Sequence, residues 1–351
     1  MRLRQLVSIL IGFPSLILLS ACFINADEPP IFVDVPEKFQ VEFDTSLDDR
    51  NIPERFRLPA HRFPTDTIPW KTRGPVSVFK VTFPSPVTTA IAVNNTVHAE
   101  YYLPAGKGPF PAVVVLHILG GEFPLSQVVA NSLARKNVAA LFIKMPYYGE
   151  RRDPKIRRRM ISRQPEETVE GMTQAVLDIR HAAAWLRSRP EVDASRLGIT
   201  GISLGGIMSA LSAPAEPTFK KVAIYLGGGN LAGILWELDH SEARTFRGQW
   251  KEQGGTRETF IELMKPVDPV NYGHLLKKRE VLMVAARQDK VVPPAATEAL
   301  YNSIGEQAEL IWLDAGHVGS GKYLLSEIVR IQQFFTEWNE ESPHQKLKVA
   351  E

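Results

Sequence analysis

Six short apolar runs divide the middle and end of the chain, and helical spacing fills much of the sequence between them. The run 111–117 contains Ala112-Val113-Val114-Val115-Leu116, the unbroken pattern of a strand buried on both faces. The stretches 139–144, 196–200, 221–226, 280–285 and 309–313 repeat it more briefly. In 125–136 and 169–187 the apolar positions recur three and four apart, the period of an amphipathic helix. Buried strands alternating with helices predict an α/β fold, a mostly parallel central sheet with helices on both faces. Ahead of these, 76–83 and 97–103 alternate polar and apolar residues on either side of Asn94-Asn95. That pattern predicts an antiparallel pair opening the fold.

Both ends of the chain depart from this rhythm. Residues 1–21 combine a basic start (Arg2, Arg4), an apolar run from Leu6 to Leu19 and small residues before Cys22, the layout of a secretory signal peptide. The run is short for a spanning helix, which needs about 20 apolar residues. Leu19-Ser20-Ala21-Cys22 resembles the bacterial lipobox, which implies a mature chain starting at a lipidated Cys22 and anchored to a membrane outside the cytoplasm. Phe23 stands where an aspartate would signal inner-membrane retention, so the outer membrane is favoured in a cell with two. Residues 22–75 are rich in proline and lack sustained periodicity, and they read as a tether and lead-in to a domain spanning 76–340. Residues 341–351 form a polar tail.

Composition changes this picture little. A chain of 351 residues, 44% hydrophobic, can bury a substantial core. Its formal charge of +2 gives no ground for a nucleic-acid partner. The single cysteine, Cys22, leaves no internal disulfide and no cysteine-based zinc cluster.

The chemistry concentrates at strand ends. The run Leu197–Thr200 passes directly into Gly201-Ile202-Ser203-Leu204-Gly205-Gly206 and an apolar helix. In this G-x-S-x-G turn, small residues two before and two after the serine permit a bend tight enough to lift its hydroxyl above the sheet. Ser203 is therefore the candidate nucleophile. A serine hydroxyl needs a base to take its proton as it attacks. Gly316-His317 follows the last apolar strand, and His317 is the candidate base. His61, His98, His181, His240, His274 and His344 read as surface or capping residues, and His117 as a loop-stabilising one. A carboxylate must orient the base and stabilise its cation. Asp289, in Gln288-Asp289-Lys290-Val291-Val292-Pro293 at the end of the preceding strand, is the candidate, with Asp314 as its rival on the histidine's own loop.

Together these three motifs, in this order, resemble the α/β-hydrolase superfamily from about Val76 to Asn339, and most closely its dienelactone-hydrolase-related and acetyl-esterase-related branches. The resemblance implies oxyanion donors at the backbone N–H of Leu204 and of Ile118, with Leu119 the alternative to Ile118. It also implies a helical cap insertion at about 230–265, where Trp236, Phe246, Trp250 and Phe260 stand among charges. The expected activity is hydrolysis of a small-molecule carboxylic ester through an acyl-enzyme, with no metal or organic cofactor. Peptidase, thioesterase or lactone hydrolase activity would use the same groups, and a non-catalytic envelope binding protein is the reading from another class. The tyrosines and arginines of 145–152 follow a strand end and so stand near such a site, and the basic run continues through Lys155, Arg157, Arg158, Arg159 and Arg163. It reads as a solvated or lipid-headgroup-facing loop, with an anionic-substrate clamp as the alternative. The sequence sets no oligomeric state.

Overall fold

A computed structural model describes residues 37–45, 51–121, 123–238 and 241–338. Cys22, the signal segment and the tail at 341–351 lie outside them, as do His240 and His344.

Ten strands form one sheet in the order β1-β2-β3-β4-β6-β5-β7-β8-β9-β10. β5 (Phe110–Leu116), β6 (Ala139–Ile143), β7 (Val192–Ile202), β8 (Phe219–Tyr225), β9 (Glu280–Ala286) and β10 (Glu309–Leu313) run parallel to one another. β1 (Glu37–Phe43), β2 (His61–Arg73), β3 (Val76–Pro84) and β4 (Thr96–Leu103) extend the sheet in antiparallel fashion. The expected pair at 76–83 and 97–103 is β3 and β4.

The sheet starts earlier than the sequence pattern suggests. Residues placed in a tether and lead-in at 22–75 supply β1 and β2 from Glu37 onward. Phe63, Thr65 and Thr67 point inward at period two, but Pro64 and Pro69 fall on the same strand, and a bulge between Pro69 and Lys71 breaks the alternation.

Eight helices are described: α1 (Pro124–Ala134), α2 (Pro165–Arg187), α3 (Leu204–Ser212), α4 (Leu231–Glu237), α5 (Ser241–Glu252), α6 (Arg257–Met264), α7 (Pro294–Ile304) and α8 (Leu324–Thr336). Because side chains alternate across a strand, β5 feeds two cores. Ala112, Val114 and Leu116 belong to the core that includes α2 and α3, while Val113 and Val115 belong to the one that includes α1 and α8. This double burial explains why β5 has no polar position.

The order β6-β5-β7 carries the functional consequence. From β5 the chain moves to one side to make β6, then crosses back to make β7 on the other side. Such a reversal opens a crevice at the carboxyl ends of the two central strands, where loops diverge. The loop after β5 carries Ile118, and the turn after β7 carries Ser203.

Candidate active site

Ser203 stands between the end of β7 and the first turn of α3, with φ 57° and ψ −117°. A non-glycine residue in that region costs on the order of 1–3 kcal/mol and persists only where its surroundings enforce it. Here they do. The Ser203 N–H donates to Tyr225 O at 2.8 Å, and Ser203 O accepts from Ile207 N–H at 3.0 Å. A Cβ on Gly201 would lie 2.4 Å from the Gly205 carbonyl carbon, and one on Gly205 would lie 2.7 Å from Leu116 O. Both neighbours are backbone, which cannot swing aside. These two glycines are therefore required by the turn itself and by the close passage of the β5 loop over the start of α3.

The loop after β10 brings His317 to the serine. The Ser203 hydroxyl donates to His317 Nε2 across 2.9 Å, and His317 Nδ1–H donates to Asp289 Oδ2 across 2.6 Å. Asp289 is 2% exposed at its side chain, and its other oxygen accepts from the N–H groups of Val291 and Val292, each at 2.8 Å. Those two donors fix the carboxylate in place. Asp314 lies elsewhere: it is exposed, and its Oδ1 accepts from Gln288 Nε2 at 2.7 Å.

Leu204 is the first residue of α3, a position whose N–H has no intrahelical acceptor. Ile118 follows the two carbonyls, Leu116 O and His117 O, that lie against Gly205. Its own carbonyl accepts from His117 Nδ1–H at 2.8 Å and from Gly121 N–H at 3.1 Å, which closes the loop on itself. His117 is fully buried, and its Nε2 accepts from Met145 N–H at 3.1 Å. Burial pushes its imidazole down to about 4, so it serves as a neutral strut between the β5 and β6 loops. Leu119, Val291 and Val318, each within two residues of a site position, are exposed apolar side chains.

Among the described residues, no group of three or more His, Cys, Asp or Glu could hold a metal ion. The insertion after β8 is helical: α4, α5 and α6 gather Trp236, Phe246 and Trp250 around Phe260, at ring-centroid distances of 6.0, 5.2 and 5.8 Å.

The fold reported by these elements has solved counterparts. An acetyl xylan esterase from Paenibacillus sp. R4 superposes with a TM-score of 0.60 at 19% identity, covering 77% of this chain and 88% of its own. Acetyl xylan esterase 1 from Thermoanaerobacterium gives 0.57 at 20% identity, over 76% and 87%. A putative dienelactone hydrolase from Klebsiella pneumoniae gives 0.50 at 19%, over 75% and 99%. The chain has the α/β-hydrolase fold. Within this fold, residues 171–342 match the model of the prolyl oligopeptidase family, and residues 113–226 match the model described as alpha/beta hydrolase domain containing 18. An uncharacterized protein of Mycobacterium tuberculosis H37Rv is 26% identical over 156 residues, 44% of this chain. The chain spans about a third of the length of the curated relatives it matches.

Several side chains occupy places that local sequence did not suggest. Arg151, expected in a solvated basic loop, is fully buried and meets the equally buried Asp178 of α2 at 2.8 Å. It also donates to Asn94 O and Lys144 O. Asn94, in the connection between β3 and β4, accepts from Tyr147 N–H and donates to Gln174 of α2. Arg158 pairs with Glu167 and Glu170, and Lys144 with Glu150. His181, expected at the surface, is buried and stacks on Phe63 with ring centroids 4.0 Å apart, its Nε2 2.8 Å from that of His61. No spacing in the sequence marks the contacts of Arg151 with Asp178, of Asn94 with Tyr147 and Gln174, or of His181 with Phe63 and His61, because they join segments distant along the chain. His98 and His61 are half-buried and His274 is exposed.

Proposed function

We propose that this α/β-hydrolase cleaves a carboxylic ester through an acyl-enzyme on Ser203. The observation that carries the reading is the unbroken hydrogen-bonded chain from Asp289 through His317 to Ser203, at the carboxyl ends of the central strands. Ser203 Oγ attacks the ester carbonyl carbon as His317 Nε2 takes its proton. Asp289 holds Nδ1 protonated, so that Nε2 is the free lone pair, and it stabilises the imidazolium that forms. The carbonyl oxygen becomes an oxyanion facing the N–H groups of Leu204 and Ile118, each worth roughly 3 kcal/mol of barrier. Collapse breaks the bond to the alcohol, which leaves with the proton from Nε2. Water then gives its proton to Nε2, attacks the acyl carbon and releases the acid, restoring Ser203. The esterase activity named for two of the structural neighbours supports an ester as the bond cleaved.

A second reading is amide or peptide cleavage by the same groups. It is favoured by the prolyl oligopeptidase family match, whose span contains Ser203, Asp289 and His317. The deciding experiment pairs a fluorophosphonate label with short p-nitrophenyl esters and peptidyl p-nitroanilides, for the protein and for Ser203→Ala. Ester turnover and labelling that both disappear in Ser203→Ala support the first reading. Turnover of anilides alone supports the second, and labelling of an intact Ser203→Ala protein would remove both. The membrane anchor at Cys22 also belongs to this reading, and mass spectrometry of the mature N-terminus tests it.

A further inference from the structure

The antiparallel end of the sheet holds a cavity of about 340 Å³, none of whose lining residues belongs to the catalytic site. It lies at the amino ends of β5 and β7, walled by Phe110, by the connection at 103–108 and by residues 189–191 ahead of β7. Ser203 and Ile118 follow the opposite ends of these two strands. β5 alone spans about 20 Å at the usual strand rise, so the cavity is a place apart from the crevice.

Side-chain alternation assembles its floor. Thr67 of β2 stands opposite Val81, and Phe79 of β3 stands opposite Tyr101 of β4, so Thr67, Phe79 and Tyr101 share one face of the sheet. The Tyr101 ring meets Trp185 of α2 edge-on at 4.9 Å, which makes it the face that α2 covers. Thr67 and Tyr101 are both buried, and among the described residues neither hydroxyl has a hydrogen-bond partner. Burial, and secondarily the Glu191 carboxylate, push the Tyr101 phenol well above its usual value of 10, which keeps it a donor. A buried hydroxyl left unpaired costs stability, and two of them on one cavity mark a place where a bound molecule would pair them.

The walls are tied together. Arg189 binds Glu37 of β1 at 2.7 Å and Glu191 at 3.0 Å, and the Phe110 N–H donates to Glu191 O at 2.8 Å. Lys107, exposed, is the remaining charge, so two carboxylates stand with two cations and no net charge is left to hold an ion. Phe79, Leu103, Pro104, Phe110 and Pro190 make much of the remaining lining apolar.

We infer that this cavity is a second, non-catalytic binding site, and that its ligand is a neutral polyhydroxylated ring of pyranose size. The volume falls within the range of small-molecule sites, about 300–1,000 Å³. Hydroxyls on such a ring both donate and accept, so they serve the Thr67 and Tyr101 hydroxyls and the carboxylate oxygens alike, while its C–H faces lie against the apolar lining. An ion would shed its hydration here without a net opposite charge to meet it. A wholly apolar molecule would leave both hydroxyls unpaired. The inference stands whether or not Ser203 cleaves an ester.

Saturation-transfer difference NMR on the full chain tests it with four probes: methyl β-glucopyranoside, methyl β-galactopyranoside, glucuronate as the charged counterpart and cyclohexylmethanol as the apolar one. Transfer is expected to at least one of the two neutral glycosides and to exceed that to glucuronate and to cyclohexylmethanol. Thr67→Val/Tyr101→Phe removes only the two hydroxyls and is expected to weaken glycoside binding by roughly tenfold or more. Lys80→Gln, exposed on the other face of β3, retains it. The double variant should also melt no lower than the unmodified protein, because the lost hydroxyls have no protein partner. Transfer to neither glycoside, equal or stronger transfer to glucuronate or cyclohexylmethanol, or glycoside binding that survives the double substitution overturns the site. A lowered melting temperature does so too, since it would show that the two hydroxyls are paired within the fold.

Discussion

His317 donates to Asp289, 28 residues before it, while Asp314, three residues before it, bonds to Gln288 instead. Proximity along the chain lost to geometry. Asp289 leaves the end of β9, the strand paired with β10, and the N–H groups of Val291 and Val292 hold its carboxylate before the histidine arrives. A residue on the same short loop as His317 has no such scaffold.

Asp289→Asn is expected to lower kcat on a p-nitrophenyl ester by roughly 10³–10⁴-fold, because an amide cannot hold the required tautomer. Asp314→Asn is expected to leave kcat near that of the unmodified protein. Steady-state kinetics on the two variants decides between the carboxylates, and equal losses would remove Asp289 from its assigned role.

The oxyanion donor after β5 can be tested by removing only its proton. Ile118→Pro deletes the N–H and is expected to reduce kcat by roughly 10²–10³-fold with little change in KM. Ile118→Ala keeps the N–H and should keep most of the activity. Should Leu119→Pro be the variant that collapses kcat while Ile118→Pro does not, the donor is one residue further on.

Removing one member of the Arg151–Asp178 pair strands a buried charge. Arg151→Met is expected to destabilise the protein by roughly 3–5 kcal/mol, and Arg151→Met combined with Asp178→Leu should recover much of that loss. Urea denaturation of both variants measures the difference. A double variant no more stable than the single one would show that the bonds from Arg151 to Asn94 and Lys144 matter more than the charge pair.

Acid should weaken the fold through two buried histidines. Burial lowers His117 to about 4 and His181 to about 3, both from the ordinary 6.5. Above pH 6.5 folded and unfolded chains both carry these rings neutral, and neither ring makes stability depend on pH. Between 6.5 and about 4 the unfolded chain takes up protons that the folded one refuses, so stability falls with pH by roughly 1.4 kcal/mol per unit for each ring. His181→Phe is expected to reduce the slope by about that amount, read from urea midpoints between pH 6 and 4. An unchanged slope would mean that His181 protonates within the folded state.

The parts of this architecture that could be read from sequence are those where one short segment carries the whole signal. Val113-Val114-Val115 announces a strand buried on both faces, and Gly201-Ile202-Ser203-Leu204-Gly205 contains its own turn geometry. What could not be read depends on partners far apart in sequence. β2 is stabilised by β1 and β3 on either side, so its two prolines and its bulge are tolerated where a local pattern argues against a strand. Arg151 resembles its basic neighbours until Asp178, 27 residues later, is placed beneath it by α2. His181 likewise resembles a helix-surface residue, and only the packing of Phe63 from β2 makes it a core ring.

The segments that follow β6 and β8 are held by different forces. On the β6 side, Arg151 and Asn94 bind the loop to α2 and to two neighbouring connections through buried polar contacts, which have definite directions and tolerate little sliding. On the β8 side, the helices of the insertion meet around Phe260 through ring contacts at interplanar angles of 33°, 57° and 70°, a looser geometric requirement than that of a hydrogen bond. The helices of the insertion can therefore shift against one another more readily than the β6 loop can shift against α2.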